Sequence, residues 1–272
     1  MHLQIEEDAR MARVLVADGL ANVSSTLATQ VEALLKRAAQ FAGTAPAEVI
    51  MLPLAELTEL LAPFELGLLL PGKLARASRK RQLEWLGGRL CAESALTRID
   101  GRASAVSMGD GGEPIWPPGI TGSITHNDLA AHAVAVRQSN SCASIGIDSE
   151  VVLGVRAAAD VATVCCIARE RVLWLDCSDR ALRTTAIFAA KEALYKAIWP
   201  TVRRFVDFDE AEVVAWERDG SRLTLQLADT LAPGGLCLTA RLHVFGGLIN
   251  ACVTLKPTDL TTLRPTQKSP GA

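Results

Sequence analysis

Phe188-Ala-Ala-Lys-Glu-Ala-Leu-Tyr-Lys-Ala-Ile-Trp-Pro200 is the stretch around which the rest of the chain is organised. Its alanines and leucine favour helix, and Pro200 supplies a stop. At about 100° per residue, Ile187, Ala190, Leu194, Ala197 and Ile198 form an apolar stripe, while Glu192 and Lys196 lie well off it. Lys191 breaks the pattern. It projects into the stripe between Ile187 and Leu194, where a solvated lysine does not belong unless it snorkels or meets an anion. Glu192 and Lys196, four apart, read either as a surface pair stabilising the helix by a few tenths of a kcal/mol or as part of a charged site.

Immediately upstream, Ser144-Ile-Gly-Ile-Asp-Ser-Glu150 alternates as a strand does. Ile145 and Ile147 fall on one face, and Gly146, Asp148 and Glu150 on the other. Two carboxylates roughly 7 Å apart at the backbone are close enough to converge on one hard cation, although a strand end with its polar face in water has the same pattern. Gly146 favours the site, because a missing side chain beside the carboxylates lets something approach the backbone. Between strand and helix, Asp160 to Asp176 has helical patterning with Arg169-Glu-Arg171 as its charged portion. Beyond Pro200 the period changes to strands at Glu212–Trp216, Leu223–Leu227, Cys237–Val244 and Leu248–Leu255, with turns at Asp219-Gly220 and Gly246-Gly247.

Toward the N-terminus, residues 12 to 17 read as a short strand and Gln30 to Phe41 as a helix, followed by a stretch punctuated by Pro46, Pro53 and Pro63. From Gly72 to Leu96 a helical pattern gathers Lys73, Arg76, Arg79, Lys80, Arg81 and Arg89. In a near-neutral protein this is either an anion-binding segment or a solvated helix face. Gly111 to Gly119, with its prolines, reads as an ordered loop, and it leads into Thr121-Gly-Ser-Ile-Thr-His126. That run offers hydroxyl, backbone and imidazole donors to a phosphate, though Ser and Thr are also common in turns. Ala130 to Val136 reads as a buried strand in which His132 is structural. The polar break Gln138 to Ala143 divides the chain, giving halves at 1–140 and 141–256 and a Pro/Thr-rich tail, 257–272, expected to be disordered.

Composition narrows the classes. The 272 residues, 49% hydrophobic, bury a sizeable core, and the net charge of −2 argues against nucleic acid as a partner. No apolar run reaches membrane-span length and the acidic start is unlike a signal peptide, so a cytoplasmic protein with no membrane partner is expected. The seven cysteines show no zinc spacing and read as buried reduced thiols, and four histidines are too few for a histidine-rich metal site.

Taken together, Gly-Ser-Ile-Thr-His (122 to 126), Ile-Gly-Ile-Asp-Ser-Glu (145 to 150) and Phe-x-x-Lys-Glu-Ala-x-Tyr-Lys (188 to 196) resemble the three signatures of the 4′-phosphopantetheinyl transferases. The similarity is to the surfactin-type group, in particular the branch that includes enterobactin synthetase component D. The arginine-rich helix ending in Gly-Arg-x-x-Ala (Arg81 to Ala92) and the loop x-Pro-x-Trp-Pro-x-Gly (Glu113 to Gly119) add to it, and the likeness covers roughly residues 70 to 215. The resemblance implies an α/β (α+β) fold: a pseudo-twofold pair of similar halves, each a small mainly antiparallel sheet packed with helices, with the active site in the cleft between them. It implies transfer of phosphopantetheine from coenzyme A to a serine of an apo acyl or peptidyl carrier protein by a monomeric, Mg²⁺-dependent enzyme, releasing adenosine 3′,5′-bisphosphate.

Carried over by position, Asp148, Glu150 and Glu192 become metal ligands, Arg81, Arg89, Thr125 and His126 contacts to coenzyme A phosphates, and Lys191 and Lys196 contacts to its pyrophosphate. Ser123, Glu113, Pro114 and Asp148 join the coenzyme A site, with Glu192, Lys191 and Lys196 as the catalytic set. Glu192 is also a candidate acceptor of the serine proton. One position departs from the pattern: Gly112 stands where many relatives carry a basic residue, so Arg79, Lys80 or Lys73 would have to supply that contact. A Mg²⁺-dependent phosphatase or nuclease and a non-catalytic coenzyme A-binding protein are the competing readings, and the carrier's pathway, fatty acid, polyketide, siderophore or other peptide synthesis, stays open.

Overall fold

The structure is a computed structural model that describes residues 25–265 apart from 42, 69, 71 and 102–104. The strand expected at residues 12 to 17 lies outside the described residues. Packing divides the described residues into two units, one comprising those up to Ala39 together with those of Ala47–Arg137, the other those of Gln40–Pro46 together with those from Gln138 onward.

The first unit contains α1 (Ser25–Leu34), β1 (Lys36–Arg37), β2 (Val49–Pro53), α2 (Leu54–Leu60), α3 (Arg79–Asp100), β3 (Ser107–Met108), β4 (Pro114–Ile115), β5 (Ile120–His126) and β6 (Ala130–Arg137). Four strands form an antiparallel sheet in the order β1-β2-β6-β5. The helix expected over Gln30–Phe41 stops at Leu34, because Lys36 and Arg37 pair with Met51 and Ile50 as an edge strand and tertiary pairing overrides helix propensity. The basic segment is likewise split: a 3₁₀ turn covers Gly72–Arg76, and α3 begins only after Ser78, whose hydroxyl accepts from the Arg81 N–H. Gly101, at φ 66°, ends α3 in the left-handed conformation that suits glycine. Leu83, Leu86 and Leu90 on the helix bury against Ala131, Ala133 and Ala135 of β6.

In the second unit β7 (Ser144–Val151), α4 (Val155–Cys165), α5 (Ala168–Trp174), α6 (Arg180–Val202), β8 (Ala211–Trp216), β9 (Arg222–Leu227), β10 (Cys237–Phe245), β11 (Leu248–Leu255) and α7 (Pro257–Thr262) follow in order. Five strands form an antiparallel sheet, β7-β11-β10-β9-β8, and α6 covers one face of it. Each unit therefore sets one long helix on one antiparallel sheet. Pro200 does not stop α6; it is accommodated in the last turn, and the helix ends at Arg203 with φ 53°. The single helix read over Asp160–Asp176 is two, broken at Cys166-Ile167. The expected disordered tail begins instead with α7, where Asp259 accepts from the Lys256 N–H and Leu263 is buried in the core of this unit. No helix among the described residues is long and apolar enough to cross a membrane.

The long helix of the first unit buries a carboxyl with a measurable consequence. Glu93 lies 7% exposed, and burial, partly opposed by Arg89, pushes its pKa up from 4.5 to about 8. Because the folded-state value lies above the unfolded one, its contribution to stability is fully present below pH 4.5 and is lost as pH rises toward 8. The full shift corresponds to a few kcal/mol, on the order of 5, so Glu93→Gln is expected to raise the melting temperature at pH 8 and to leave it nearly unchanged at pH 4.5. Thermal melts of both proteins across that range check it; parallel curves would remove Glu93 as the cause.

Candidate active site

The C-terminal unit brings a strand and a helix together backbone to backbone. A Cβ at Gly146 would overlap the Ala193 carbonyl oxygen of α6, so the glycine serves this helix contact and not the approach of a ligand. Ser144 Oγ donates to the Ala197 carbonyl at 2.6 Å and fixes the same junction. One turn beyond Ala193, Lys196 Nζ donates to Asp148 Oδ1 at 2.6 Å and to the Ile147 carbonyl at 3.2 Å. Asp148 is 3% exposed, while Lys196 and Glu192 are half-buried. Burial raises the Glu192 pKa, Lys196 pulls it down, and the charge of Asp148 raises it further. Two carboxylates within each other's field and a single ammonium carry a net charge of −1.

That donor set fits a hard cation such as Mg²⁺, which binds through one or two carboxylates and fills its shell with water and phosphate oxygens. Among the described residues no group of three Asp, Glu, His or Cys side chains is already gathered for a metal ion. Glu150 shares the strand face of Asp148 by alternation.

Lys191, expected beside the pyrophosphate, points the other way. It is 3% exposed, and its ammonium donates to Glu170 Oε2 at 2.8 Å and to the carbonyls of Cys165 and Phe208, each at 2.9 Å. Three donors meet three acceptors, which leaves none for a substrate. Glu170 itself is wholly buried and also accepts from the Ile167 and Val213 N–H groups. It is the residue that sequence reasoning missed. Arg169-Glu-Arg171 looks like a solvated charged run, and only the lysine buried 21 positions later signals that an anion must lie opposite.

The N-terminal unit supplies a separate basic cluster at the start of α3. Arg81 Nη1 lies 2.8 Å from His126 Nε2, and since arginine only donates, that nitrogen accepts and the imidazole proton sits on Nδ1, 3.7 Å from Glu84 Oε2. Both basic side chains remain partly exposed. Strand alternation divides the Gly-Ser-Ile-Thr-His run. His126 and Ile124 lie on the α3 face, opposite Ala131 and Ala133, whereas Ser123 and Thr125 are buried on the other face, paired with Val134 and His132. Their hydroxyls cannot complete a pocket around His126. His132 is buried and held neutral, its pKa pushed down to about 3 by burial, as a structural histidine would be.

Three further expectations for this unit are corrected by geometry. Arg89 is buried, stacks on Trp85 and donates to the carbonyls of Val106 and Ser107, so it anchors β3 instead of facing a phosphate. Glu113 accepts from the Gly111 N–H and closes its own turn, while Pro114 belongs to the two-residue strand β4, not to a loop. Gly112 has φ 87°, which disfavours any L side chain; the turn explains why no basic residue stands there. Arg79 does not compensate, because it donates to the Phe64 and Leu61 carbonyls, and Lys80 pairs with Asp128. Lys73 stays exposed.

With this geometry in hand, comparison with known proteins is specific. Residues 70–136 match the 4′-phosphopantetheinyl transferase N-terminal domain, and residues 144–240 match the 4′-phosphopantetheinyl transferase superfamily. A 4′-phosphopantetheinyl transferase of Nocardia iowensis is 38% identical over 149 residues, 54% of this chain and 65% of the relative. The enterobactin synthase component D of Salmonella typhimurium is 38% identical over 126 residues, 46% of this chain and 51% of the relative. A 4′-phosphopantetheinyl transferase of Mycobacterium tuberculosis is 31% identical over 198 residues, 67% of this chain and 82% of the relative. The chain thus spans under two thirds of the first two relatives and more than two thirds of the third.

Proposed function

The chain belongs to the 4′-phosphopantetheinyl transferase superfamily, and from that premise we propose that it transfers phosphopantetheine from coenzyme A to a serine of an apo acyl or peptidyl carrier protein. The observation that carries the reading is the trio of Asp148, Lys196 and Glu192, two carboxylates and an ammonium fixed by the glycine-mediated contact of β7 with α6. The serine hydroxyl attacks the phosphorus that bears the pantetheine arm, its proton passes to a base, and the bond to adenosine 3′,5′-bisphosphate breaks. Mg²⁺, held by Asp148 and Glu192 together with phosphate oxygens, would offset the negative charge of the pyrophosphate. Glu192 is the base we assign, because it is the carboxylate of the trio that stays partly exposed, where the serine hydroxyl can reach it, whereas Asp148 is buried. Lys196 keeps Asp148 oriented and adds positive charge beside the oxygens of the pyrophosphate bond that breaks.

Transfer is tested by incubating the protein with coenzyme A and a panel of apo carrier proteins, with Mg²⁺ or with chelator, and reading the carrier's mass. The expected result is a phosphopantetheine mass gain on at least one carrier, lost in chelator. Coenzyme A breakdown without any carrier would instead mark a hydrolase, and tight coenzyme A binding with no turnover a binding protein.

To the N-terminal unit we assign the 3′-phosphate, at Arg81 and His126. A charge-assisted contact contributes roughly 1.5–3 kcal/mol, about ten- to a hundredfold in affinity. His126→Ala is expected to weaken coenzyme A binding by that factor and to leave 3′-dephospho-coenzyme A binding nearly unchanged. Calorimetric titration of both ligands against both proteins completes the cycle. An equal loss for the two ligands would withdraw the assignment.

A further inference from the structure

Cys165 and Cys166 are adjacent in the chain, and their sulfurs lie 3.4 Å apart. Neighbouring side chains normally diverge, by about 100° on a helix and to opposite faces on a strand. Here Cys165 ends α4 and Cys166 is the extended residue that follows, so the break before α5 turns both thiols to the same side. The break is held by the protein. Lys191 Nζ donates to the Cys165 carbonyl, Arg171 Nη1 donates to the Cys166 carbonyl, and the Cys166 N–H reaches the Ala162 carbonyl. Both thiols are free and buried, 1% and 3% exposed. The bond from Cys166 and the nearby Lys191 charge favour the thiolate of Cys165.

From this geometry we infer that the Cys165–Cys166 pair is a chelating site for a thiophilic trivalent metalloid of the arsenic or antimony class. The spacing selects the class. Two sulfurs bonded at about 2.3 Å to a tetrahedral centre such as zinc stand roughly 3.8 Å apart, whereas bonds meeting near a right angle, as at a pyramidal trivalent centre, bring them to about 3.3 Å. The observed 3.4 Å matches the second. With no third His, Cys, Asp or Glu side chain gathered at the pair among the described residues, it also lacks the four ligands of a structural zinc site. With an organoarsenic oxide the step balances without an oxidant: two S–H bonds break, two As–S bonds form, and the arsenic oxygen leaves as water carrying both protons. Because the second sulfur is already in place, closing the chelate is an intramolecular event, and the adduct outlasts any formed by a single thiol. Because both thiols are buried, capture proceeds through local opening of the short α4 to α5 junction, which recloses with both sulfurs on the arsenic.

Phenylarsine oxide is the probe, added in slight excess to the intact protein with excess monothiol present. Expected is one phenylarsenic group per chain by mass, mapped by digestion to the peptide carrying both cysteines, and removed by a dithiol. Cys166→Ser is expected to lower the retained adduct at least tenfold, while replacing the exposed Cys177 and Cys237 by serine leaves it unchanged. Absence of the adduct from the native protein, its mapping to any other cysteine, or its survival in Cys166→Ser would overturn the site. Digestion of the unsubstituted protein reads the position without relying on a variant, and the mass readout stands whether or not the chain proves to be a transferase.

Discussion

Replacing Asp148 by alanine is expected to lower phosphopantetheine transfer at least about a thousandfold, with the fold intact. The carboxylate is buried, and it touches Lys196 and shares a field with Glu192, so its removal takes one negative charge from a cluster that carries two. In the resting protein the loss is compensated, because Lys196, partly exposed, faces Glu192 and water instead. In the transition state nothing compensates: the cation loses a ligand just where charge on the pyrophosphate is greatest, and about 4 kcal/mol of barrier is at stake. Carrier mass shift and a thermal melt on the same preparation decide the matter. Full activity of Asp148→Ala, or of the unsubstituted protein in chelator, would sink the metal assignment; a large fall in melting temperature would mean that Asp148 chiefly supports the β7–α6 junction. Glu192→Ala is expected to give the same loss of turnover.

The C-terminal sheet was the most legible part of the fold. Alternation bounded by glycine turns places Leu248–Leu255 without error and the other late strands within a residue, because period two and paired turn glycines are both local signals. The placement of Asp148 on a strand and of Glu192 and Lys196 on a long helix was legible for the same reason. What failed were contacts set by distant sequence. The facing of Ser123 and Thr125 depends on which side of β5 meets α3, which the run of small polar residues does not encode. Arg89 looked like one more cation of a basic helix until its carbonyl partners, 17 and 18 residues away, came into view. Gly146 was noticed but explained wrongly, and Gly112 was noticed without a reason; each answers to a backbone need, a helix in close contact in the first case and a positive φ in the second.

Lys191 is the case in which structure reverses an expected result. Seen only as a lysine on an apolar stripe, it invites Lys191→Met as a substitution that keeps stability and removes catalytic charge. Its actual environment demands the opposite outcome. Methionine fills the volume but leaves the Glu170 side chain at 0% exposure, with two backbone N–H groups and no counter-charge. Stranding one partner of a buried pair costs about 3–5 kcal/mol, enough to lower the melting temperature by many degrees. Lys191→Met is therefore expected to be strongly destabilised, and the double variant Lys191→Met, Glu170→Gln to recover part of the loss, because the amide carries no charge to strand and its one oxygen still accepts from one of the two N–H groups, while its NH2 faces the other. The pair ties α6 to α5, to the Phe208 turn and to β8, so the double variant also asks whether that tie sets the position of Glu192 on the next residue of the helix. Recovered stability with turnover near that of the unsubstituted protein makes the pair a strut for the unit alone. Recovered stability with turnover still depressed makes it a positioning device for Glu192. A Lys191→Met protein as stable as the parent yet inactive would contradict the geometry, and would return the lysine to the substrate.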